Sequence, residues 1–342
     1  MTSDKQWRAF FIEEIFDIFP GKRLTKAEMI AGDTPFIGAS DSNNGVTAFV
    51  GNVNDSADEN FLSVSYNGSV CECFYQPYRC LCSDDVKRFH LKNHAGNKYI
   101  YLFLANAIKQ QKTKYNYGYK FNEARMRRQK IILPVTDDGK PDFEFMEAYI
   151  QKIEAEQIRR YRDFVQAVDA APVEPLNQKR WKAFLVEEIF TVIQRGKRLK
   201  TADHIPGDIP YVSSSAQNNG VDAFIGNSEN VRKFKDCLTI ANSGSVGKCF
   251  YHPYEFIASD HVTALSSPNL NEYHYLFLAR QLERLQEKYN FNREITDARI
   301  RQEKLMLPVN EAGEPDFDYM AAYVKNIIAA KYRKYLDYIG DD

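Results

Sequence analysis

The chain has 342 residues, of which 44% are hydrophobic and 27% are charged, a composition typical of folded globular proteins. Its formal net charge of −1 excludes a uniformly basic coat, although local basic patches can still contact phosphates. No stretch approaches the roughly 20 apolar residues of a membrane span, and "MTSDKQWRAF" lacks the apolar core of a signal peptide. We therefore expect a cytoplasmic protein whose six cysteines stay reduced.

A long internal repeat organises the chain. "WRAFFIEEIF" (7–16) returns as "WKAFLVEEIF" (181–190), and "GDTPFIGASDSNNGV" (32–46) returns as "GDIPYVSSSAQNNGV" (207–221). The offset between matching residues stays at 174 to 176. Each copy is too long for a solenoid unit and long enough to fold alone. The chain is therefore predicted to be two copies of one module.

The first two-thirds of each copy are predicted to be rich in strands. Runs such as "FLSVSY" (61–66), "SVCECFY" (69–75), "CLTIA" (237–241) and "HVTAL" (261–265) are β-branched or aromatic and lie between Gly, Asn and Pro. Apolar residues at helical spacing then predict one helix per copy, in "KYIYLFLANAIKQQ" (98–111) and "YHYLFLARQLERLQEKY" (273–289).

Each copy is predicted to end in a long helix. Asp142 and Asp316 are placed as N-caps, and the helices begin at about Phe143 and Phe317. Apolar residues recur along both at nearly heptad spacing, a pattern that favours packing against a partner helix. The long helix of the other copy is the obvious candidate. The stripes comprise Phe143, Met146, Ile150, Ile153, Tyr161 and Phe164 in the first copy, and Phe317, Met320, Val324 and Ile327 in the second.

The predicted fold class is α+β: two tandem mixed α/β domains, each followed by a long helix, with the helices packed as an antiparallel coiled-coil spacer of pseudo-twofold symmetry. The predicted boundaries are a first domain at 1–141, a first spacer helix at 142–169, a linker at 170–180, a second domain at 181–315 and a second spacer helix at 316–342. A helix of about 26 residues spans roughly 39 Å, close to the 34–36 Å or so of one turn of duplex DNA. A two-site protein or glycan binder satisfies the same geometry.

A basic segment of the first copy favours DNA. "KQQKTKYNYGYKFNEARMRRQK" (109–130) carries eight Lys and Arg residues against a single Glu, interleaved with three tyrosines. Basic side chains hold phosphates, whereas Tyr, Asn and Arg can reach sugars or base edges. A solvated helix and loop face is an equally good interpretation of the charge. The matching segment of the second copy is more acidic, which weakens the charge argument there.

The ordered set of motifs, occurring twice, resembles the DNA-specificity subunits of type I restriction–modification systems, known as HsdS. The residues that carry the resemblance are "GKRL", "GDIPYVSSSAQNNGV", "NSGSVGKCFYHPY", "SDHV" and "LPVNEAGEPDFDYM". The compact chain is also similar to the specificity subunits of type IIB systems. The resemblance implies two target-recognition domains that read the halves of a split double-stranded DNA site, and a helical spacer that docks adenine methyltransferase subunits or a fused methyltransferase–nuclease chain.

The chain itself is predicted to be non-catalytic. It lacks the Asn/Asp-Pro-Pro-aromatic motif and Gly-rich cofactor loop of an adenine methyltransferase, and it has no phosphate-binding loop or nuclease carboxylate cluster. We expect no cofactor in this chain; S-adenosylmethionine is expected in the partner methyltransferase. Cys71, Cys73, Cys80 and Cys82 are spaced like zinc ligands. The second copy has Gly247, Cys249, Phe256 and Ala258 at the matching positions and so keeps one of the four cysteines; we therefore predict a buried reduced cluster and no metal.

Residues shared by the copies are expected to build the scaffold or hold phosphate, and polar loop residues that differ between them to read sequence. Asn43, Asn44, Asn218 and Asn219 also fit left-handed turns before glycine. The predicted DNA-binding residues are Lys22, Arg23, Ser40, Asp41, Ser42, Asn43, Lys114, Tyr117, Tyr119, Lys120, Arg125 and Arg127 in the first copy, and Lys197, Arg198, Ser214, Ser215, Gln217, Asn218, Lys288, Asn292, Arg293 and Arg299 in the second. Because the candidate loops differ, the two half-sites are expected to differ in sequence.

Two other function classes stay open on the sequence. The chain can be a decoy that sequesters a methyltransferase through its helices without reading DNA. A two-site carbohydrate-binding protein is a weaker alternative, suggested by the 13% of aromatic residues in strand-rich modules.

Overall fold

A computed structural model describes residues 5–115, 118–168, 173–290 and 292–340. The internal contacts divide the chain into two compact units, unit 1 at residues 1–159 and unit 2 at residues 160–342. The division falls inside the first long helix. No helix in the described ranges is both long enough and apolar enough to cross a membrane.

Unit 1 contains short strands and four helices among its described residues. The strands are β1 (Trp7–Phe11), β2 (Phe16–Pro20), β3 (Ala31–Ile37), β4 (Val46–Val50), β5 (Phe61–Ser65), β6 (Cys73–Gln76), β7 (Leu81–Cys82), β8 (Val86–Leu91) and β9 (Lys130–Pro134). The helices are α1 (Ile12–Ile15), α2 (Lys98–Lys109), α3 (Glu123–Arg128) and α4 (Phe143–Ala167), which continues into unit 2.

The described residues of unit 1 form three sheets. β1 pairs with β9 in a two-stranded antiparallel sheet, and the larger antiparallel sheet has the order β2-β8-β5-β6. The third sheet, β4-β3-β7, contains a parallel pair between β3 and β7. Helix α2 covers the larger sheet, and Tyr101 of α2 stacks on Tyr75 of β6 with ring centroids 5.4 Å apart. This packing forms the main core of unit 1.

Unit 2 repeats this order of elements. Its strands are β10 (Trp181–Leu185), β11 (Val192–Arg195), β12 (Pro206–Val212), β13 (Val221–Ile225), β14 (Lys233–Phe234), β15 (Cys237–Ala241), β16 (Cys249–His252), β17 (Phe256–Ala258), β18 (Val262–Ser266) and β19 (Lys304–Pro308). Its helices are α5 (Val186–Ile189), α6 (Glu272–Glu283), α7 (Asp297–Arg301) and α8 (Phe317–Ile339).

The sheets of unit 2 match those of unit 1, with one addition. The orders are β10-β19, β11-β18-β15-β16 and β13-β12-β17-β14. The short strand β14 makes the third sheet four-stranded and pairs with β17, whereas unit 1 has only an isolated bridge between Asp58 and Cys80. Tyr275 of α6 stacks on Tyr251 of β16 at 5.3 Å, as in unit 1. The prediction of two copies of one mixed α/β module is confirmed.

Both long helices begin at the predicted residues. The Asp142 carboxylate accepts a hydrogen bond from the backbone N–H of Phe145 (2.9 Å), and the Asp316 carboxylate accepts one from Tyr319 (3.0 Å). Such N-caps satisfy backbone donors that have no partner within the helix. The helices end at Ala167 and Ile339.

The apolar stripes of the long helices pack differently from the prediction over their first turns. Met146 is fully buried in the core of unit 1, where Phe143 packs on it, and Met320 and Val324 are buried in the core of unit 2. These residues therefore pack each helix against the core of its own module. The reason is proximity, because each long helix begins directly beside the helix that covers the sheet of its own module.

Farther along, the stripes are more exposed. Ile150 is half-buried, Ile153 is 49% exposed, and Ile327, at the matching position of α8, is 41% exposed. Within unit 2, Tyr161 stacks on Tyr332 with centroids 4.1 Å apart, and Tyr332 also contacts Phe164. The end of α4 therefore does pack against α8.

The predicted strand at 69–75 is shorter in the structure, because only Cys73–Gln76 is extended. Cys71 has a φ of 66°, in the left-handed region that favours glycine, and unit 2 has Gly247 there. Cys71 therefore lies outside the strand that contains Cys73. The prediction of one helix per copy before the long helix also missed α1, α3, α5 and α7, which are four to six residues long and too short for a clear helical period.

Candidate nucleic-acid interface

The "GKRL" turns present exposed basic side chains on a fixed backbone. In unit 1 the N–H of Lys22 donates to Cys82 O (2.9 Å), and in unit 2 the N–H of Lys197 donates to Ala258 O (3.0 Å). Lys22 and Arg23 point outward and pair with Asp55 (3.0 Å) and Asp84 (3.6 Å). Exposed ion pairs of this kind add little stability and exchange readily for another anion.

Gly21 packs closely against the backbone of its own unit. A glycine before two basic residues can let the backbone approach a phosphate, but the space beside Gly21 is filled by the chain itself. A Cβ at Gly21 would lie 1.9 Å from Ser83 O, and one at Gly196 would lie 2.2 Å from Ser259 O. The glycine is needed because the turn packs against the chain's own backbone.

The repeated "NNG" segments are left-handed 3₁₀ turns. Asn43 and Asn44 have φ values of 51° and 54°, and Asn218 and Asn219 have 49° and 53°. The turn interpretation of these residues is confirmed, since asparagine tolerates this region better than most residues. Asn44 also donates from Nδ2 to Tyr75 O (3.1 Å) on the edge strand β6.

The polar segments before these turns lie at the surface. In unit 1 Asp41, Ser42 and Asn43 are exposed and Ser40 is half-buried; the Ser40 hydroxyl accepts a hydrogen bond from the N–H of Ser42 (3.2 Å). In unit 2 the candidates behave alike: Gln217 and Asn218 are exposed, Ser214 and Ser215 are half-buried, and Ser215 Oγ accepts from the N–H of Gln217 (3.1 Å).

Two further loops join this surface, and their residues are not among the predicted DNA-binding residues. In unit 1 the N–H of Ser69 donates to Ala39 O (3.2 Å), and Asn67 donates from Nδ2 to Asp85 (2.9 Å). In unit 2 Ser243 and His261 occupy the matching places, and Ser243 Oγ lies 2.6 Å from His261 Nδ1. These residues are polar and differ between the copies. The expectation that such residues read sequence therefore applies to Asn67 and Asp85 and to Ser243 and His261.

Lys87 links the basic segment of unit 1 to these loops. The Lys87 ammonium lies 3.1 Å from the carboxylate of Glu123, at the start of α3, and 5.8 Å from the centroid of the Tyr66 ring. The hydrogen bond from Arg127 and the nearby Lys87 hold the pKa of Glu123 below its usual value. The structure thus brings the segments 22–23, 40–44, 66–69, 84–87 and 118–128 together; we call this set the recognition surface of unit 1.

Several cations of the basic segment are engaged within unit 1. Arg127 pairs with Glu123 at 2.8 Å, and Lys114 donates to Gln111 Oε1 at 2.7 Å. The guanidinium of Arg125 donates to Lys120 O (2.6 Å) and lies 3.7 Å from the centroid of the exposed Tyr119 ring. Lys120 is half-buried, and Tyr117 lies outside the described residues.

Unit 2 keeps the same frame with different side chains. Arg299 donates to Glu294 O (2.7 Å), five residues back, as Arg125 does to Lys120 O. Lys288 pairs with Glu303 at 2.7 Å, and Arg293 lies 5.3 Å from the Tyr289 ring centroid. Burial, followed by the hydrogen bond to Glu303, raises the pKa of Tyr289 to about 12.

The exposed side chains of Arg198, Asn292 and Arg293 lie on segments that match parts of the unit 1 surface. The N–H of Ile295 donates to Asn242 O (3.2 Å), and Thr263 Oγ1 donates to Asp297 (3.0 Å). The segments 197–198, 213–219, 242–245, 260–263 and 292–302 form the corresponding recognition surface of unit 2. Lys197, 3.1 Å from Asn230 Oδ1, marks its edge.

One ion pair is inverted between the units. In unit 1 Lys109 of α2 lies 3.3 Å from Glu72, which Lys112 also contacts. In unit 2 the matching residues have exchanged charges: Glu283 of α6 lies 3.5 Å from Lys248. Both pairs link the covering helix to the loop before the edge strand. Although burial of Glu72 opposes ionisation, Lys112 and Lys109 together hold its pKa below the usual value.

The cysteines are buried free thiols. All six are buried, and burial raises the pKa of Cys71 to about 12 and that of Cys73 still further. Within the described ranges, no group of three or more His, Cys, Asp or Glu residues is arranged to hold a metal ion.

Comparison with known proteins follows the duplication seen in the fold. The sequence profile described as "Type I restriction modification DNA specificity domain" matches residues 4–161 and again residues 178–335. The chain belongs to this family. Each unit therefore carries one specificity domain, and the family resemblance drawn from the motifs is confirmed.

A curated relative is the "Type II restriction enzyme BgcI specificity subunit S.BcgI" of Heyndrickxia coagulans. It is 54% identical over 157 residues, which cover 46% of this chain and 46% of the relative. The match thus spans about half the length of that relative.

Among solved structures, the type I restriction–modification S subunit from M. genitalium is similar at 16% identity with a TM-score of 0.46, over 100% of this chain and 94% of that one. The HsdS subunit from Thermoanaerobacter tengcongensis is similar at 14% identity with a TM-score of 0.35, over 96% and 91%.

Proposed function

We propose that this specificity subunit reads a split, asymmetric double-stranded DNA site, one half with the recognition surface of each unit. The single observation that supports this most directly is that two domains of one family share a frame and differ in the polar residues that the frame exposes. In this proposal residues 1–141 and 181–315 are the reading domains, and residues 142–169 and 316–342 are the spacer helices.

The shared cations serve as phosphate contacts in this scheme. Lys22 and Arg23, with Lys197 and Arg198, are exposed on turns that the backbone holds rigidly, so they can exchange an exposed carboxylate for a phosphate with little rearrangement. Phosphate contacts fix the register of a protein on DNA without carrying sequence information. The differing residues around them then supply base readout in the grooves.

The chain acts in this proposal as a non-catalytic positioning subunit for an adenine methyltransferase, with or without a nuclease. The exposed stretch of each spacer helix supports such docking, because Ile153 and Ile327 present apolar side chains at matching positions. We further propose that the two helices are antiparallel and set the distance between the half-sites. The partner would bind S-adenosylmethionine and take the flipped adenine.

The test is methylation mapping with the full chain and its methyltransferase partner. The wild-type complex should methylate adenines within one split, non-palindromic motif. Replacing Lys22 and Arg23 by alanine should weaken DNA binding for all sequences and lower the salt slope by about one for each lost phosphate contact. Lys140→Ala, which alters an exposed lysine paired with Asp138 outside the recognition surface, is the matched control.

Other results would point to other functions. If the Lys22→Ala/Arg23→Ala variant still blocks methylation by the partner, the chain is a sequestering decoy and does not read DNA. A palindromic motif would contradict an asymmetric reader. Salt-insensitive binding to a glycan, without binding to duplex DNA, would instead favour a carbohydrate-binding protein.

A further inference from the structure

The outward face of helix α3 carries an arginine with a special position. Met126 is fully buried and fixes the helix on unit 1. Residues two positions to either side of a buried helical residue lie about 200° away from it, on the opposite face. Ala124 and Arg128 occupy those positions and are both exposed. The small Ala124 leaves room for another molecule to approach beside Arg128.

Arg128 differs from the arginines on the flanks of α3. Arg125 braces its own loop, and Arg127 is paired with Glu123. In the part of unit 1 that the structure describes, the Arg128 guanidinium has no hydrogen-bond or ion-pair partner. It borders a cleft of about 410 Å³ that Tyr115 and Asn122 also line. Its planar fork of donors is thus available to a ligand.

Unit 2 places a different group on the same frame. Ile300 of α7 is fully buried, as Met126 is, and Ala298 and Gln302 are exposed at the positions that match Ala124 and Arg128. Gln302 is exposed, and its amide nitrogen lies 3.0 Å from Glu187 Oε1. The frame is therefore shared, while the outward polar group changes from a guanidinium to a carboxamide.

These two groups prefer different bases. An arginine fork donates two hydrogen bonds to the O6 and N7 atoms of guanine, whereas a glutamine carboxamide accepts from N6 and donates to N7 of adenine. We infer that Arg128 recognises a guanine in the half-site of unit 1 and that Gln302 recognises an adenine in the half-site of unit 2. The inference rests on the proposed function and adds to it the base that each of these two residues recognises.

The experiment maps N6-methyladenine genome-wide for the full chain with its methyltransferase partner, in wild type and in Arg128→Gln. The variant should prefer adenine over guanine at one position of one half-site, by roughly ten- to a hundredfold relative to wild type. The reciprocal Gln302→Arg should make the opposite change in the other half-site. Arg128→Lys is the control, since it keeps the charge and loses the fork.

The outcomes separate the inference from the proposed function. If wild type methylates no split motif, the proposed function fails. Two results would overturn the inference alone, in a background where wild type does methylate a split motif. In the first, Arg128→Gln methylates the same motif as wild type. In the second, Arg128→Gln methylates all sequences equally less, as expected for a lost phosphate contact. Equal unfolding curves for Arg128→Gln and wild type are expected, because Arg128 is exposed and unbonded within the described part of unit 1.

Discussion

His252 should make unit 2 sensitive to acid, and unit 1 supplies the substitution that removes this sensitivity. His252 is fully buried on β16, with Nε2 2.8 Å from Thr239 Oγ1 and Nδ1 3.2 Å from the Tyr254 hydroxyl. The matching residue of unit 1 is Gln76, which is equally buried and donates to Ser63 Oγ (3.0 Å). His252→Gln therefore introduces a group that this fold already accommodates.

Burial lowers the pKa of His252 from 6.5 to about 4. As the pH falls below 6.5, the unfolded chain takes up the proton while the folded unit resists it. Stability is therefore fully present above pH 6.5 and is lost as the pH falls toward 4. The linkage relation gives a loss of about 2 kcal/mol at pH 5 and about 3 kcal/mol at pH 4.

The two tryptophans of the chain allow this loss to be measured in one unit. Trp181 packs on Phe277 of unit 2 and donates from Nε1 to Leu176 O (2.9 Å). Trp7, in unit 1, is the other tryptophan. In a Trp7→Phe background, urea unfolding followed by Trp181 fluorescence should show that His252→Gln gains about 2 kcal/mol relative to its parent between pH 7 and pH 5.

Subtracting the free energy of unfolding of the variant from that of the parent at each pH removes the contribution of other titrating groups, including the half-exposed carboxylates, because both proteins share them. The matched control is Gln76→His in a Trp181→Phe background, which should transfer the acid sensitivity to unit 1. If parent and His252→Gln lose stability in parallel from pH 7 to pH 5, the folded unit protonates His252 without penalty, and the reasoning is refuted.

Two further predictions concern unit 1, and a third concerns the whole chain. Glu72→Lys should lower the free energy of unfolding by about 2 kcal/mol, because it places a cation at a buried position beside Lys109 and Lys112. Adding Lys109→Glu and Lys112→Gln together, which copies unit 2, should restore most of the loss when urea unfolding of the triple variant is compared with that of Glu72→Lys. Asn43→Ala should lower the free energy of unfolding in urea by about 1 kcal/mol, because residue 43 has a left-handed φ. Asn43→Gly should leave this free energy nearly unchanged. Equal losses for the two variants would contradict the role of Asn43 in the turn. A chelator should leave the thermal unfolding midpoint unchanged, and a lowered midpoint would reveal a structural metal.

The duplicated fold could be predicted well from the sequence because the two copies can be aligned with each other, so that each one supports the interpretation of the other. The helix caps at Asp142 and Asp316 and the turns at Asn43 and Asn218 followed from local chemistry that acts within four residues. Helix α3 escaped prediction since six residues make less than two turns, too few to show a period.

The candidate site was harder to predict because its composition depends on long-range packing. A list of basic residues cannot show that Arg125 and Arg127 are engaged within unit 1 while Arg128 faces outward. The pair Asn67–Asp85 is separated by 18 residues, and nothing in either local sequence indicates that they meet. The differences between copies at these positions were visible in the sequence, but their proximity was not.

The inverted ion pair between helix and loop has a consequence for how the two halves of the gene can exchange material. Repeats this similar are substrates for recombination, which tends to make copies identical. A crossover between the codons of residues 72 and 109 would place Glu72 opposite the glutamate of the other copy, or Lys248 opposite Lys109. Either hybrid would carry repelling charges at a packed junction. The inversion would therefore oppose homogenisation of the two copies, and under the proposed function it would help the two recognition surfaces to stay different.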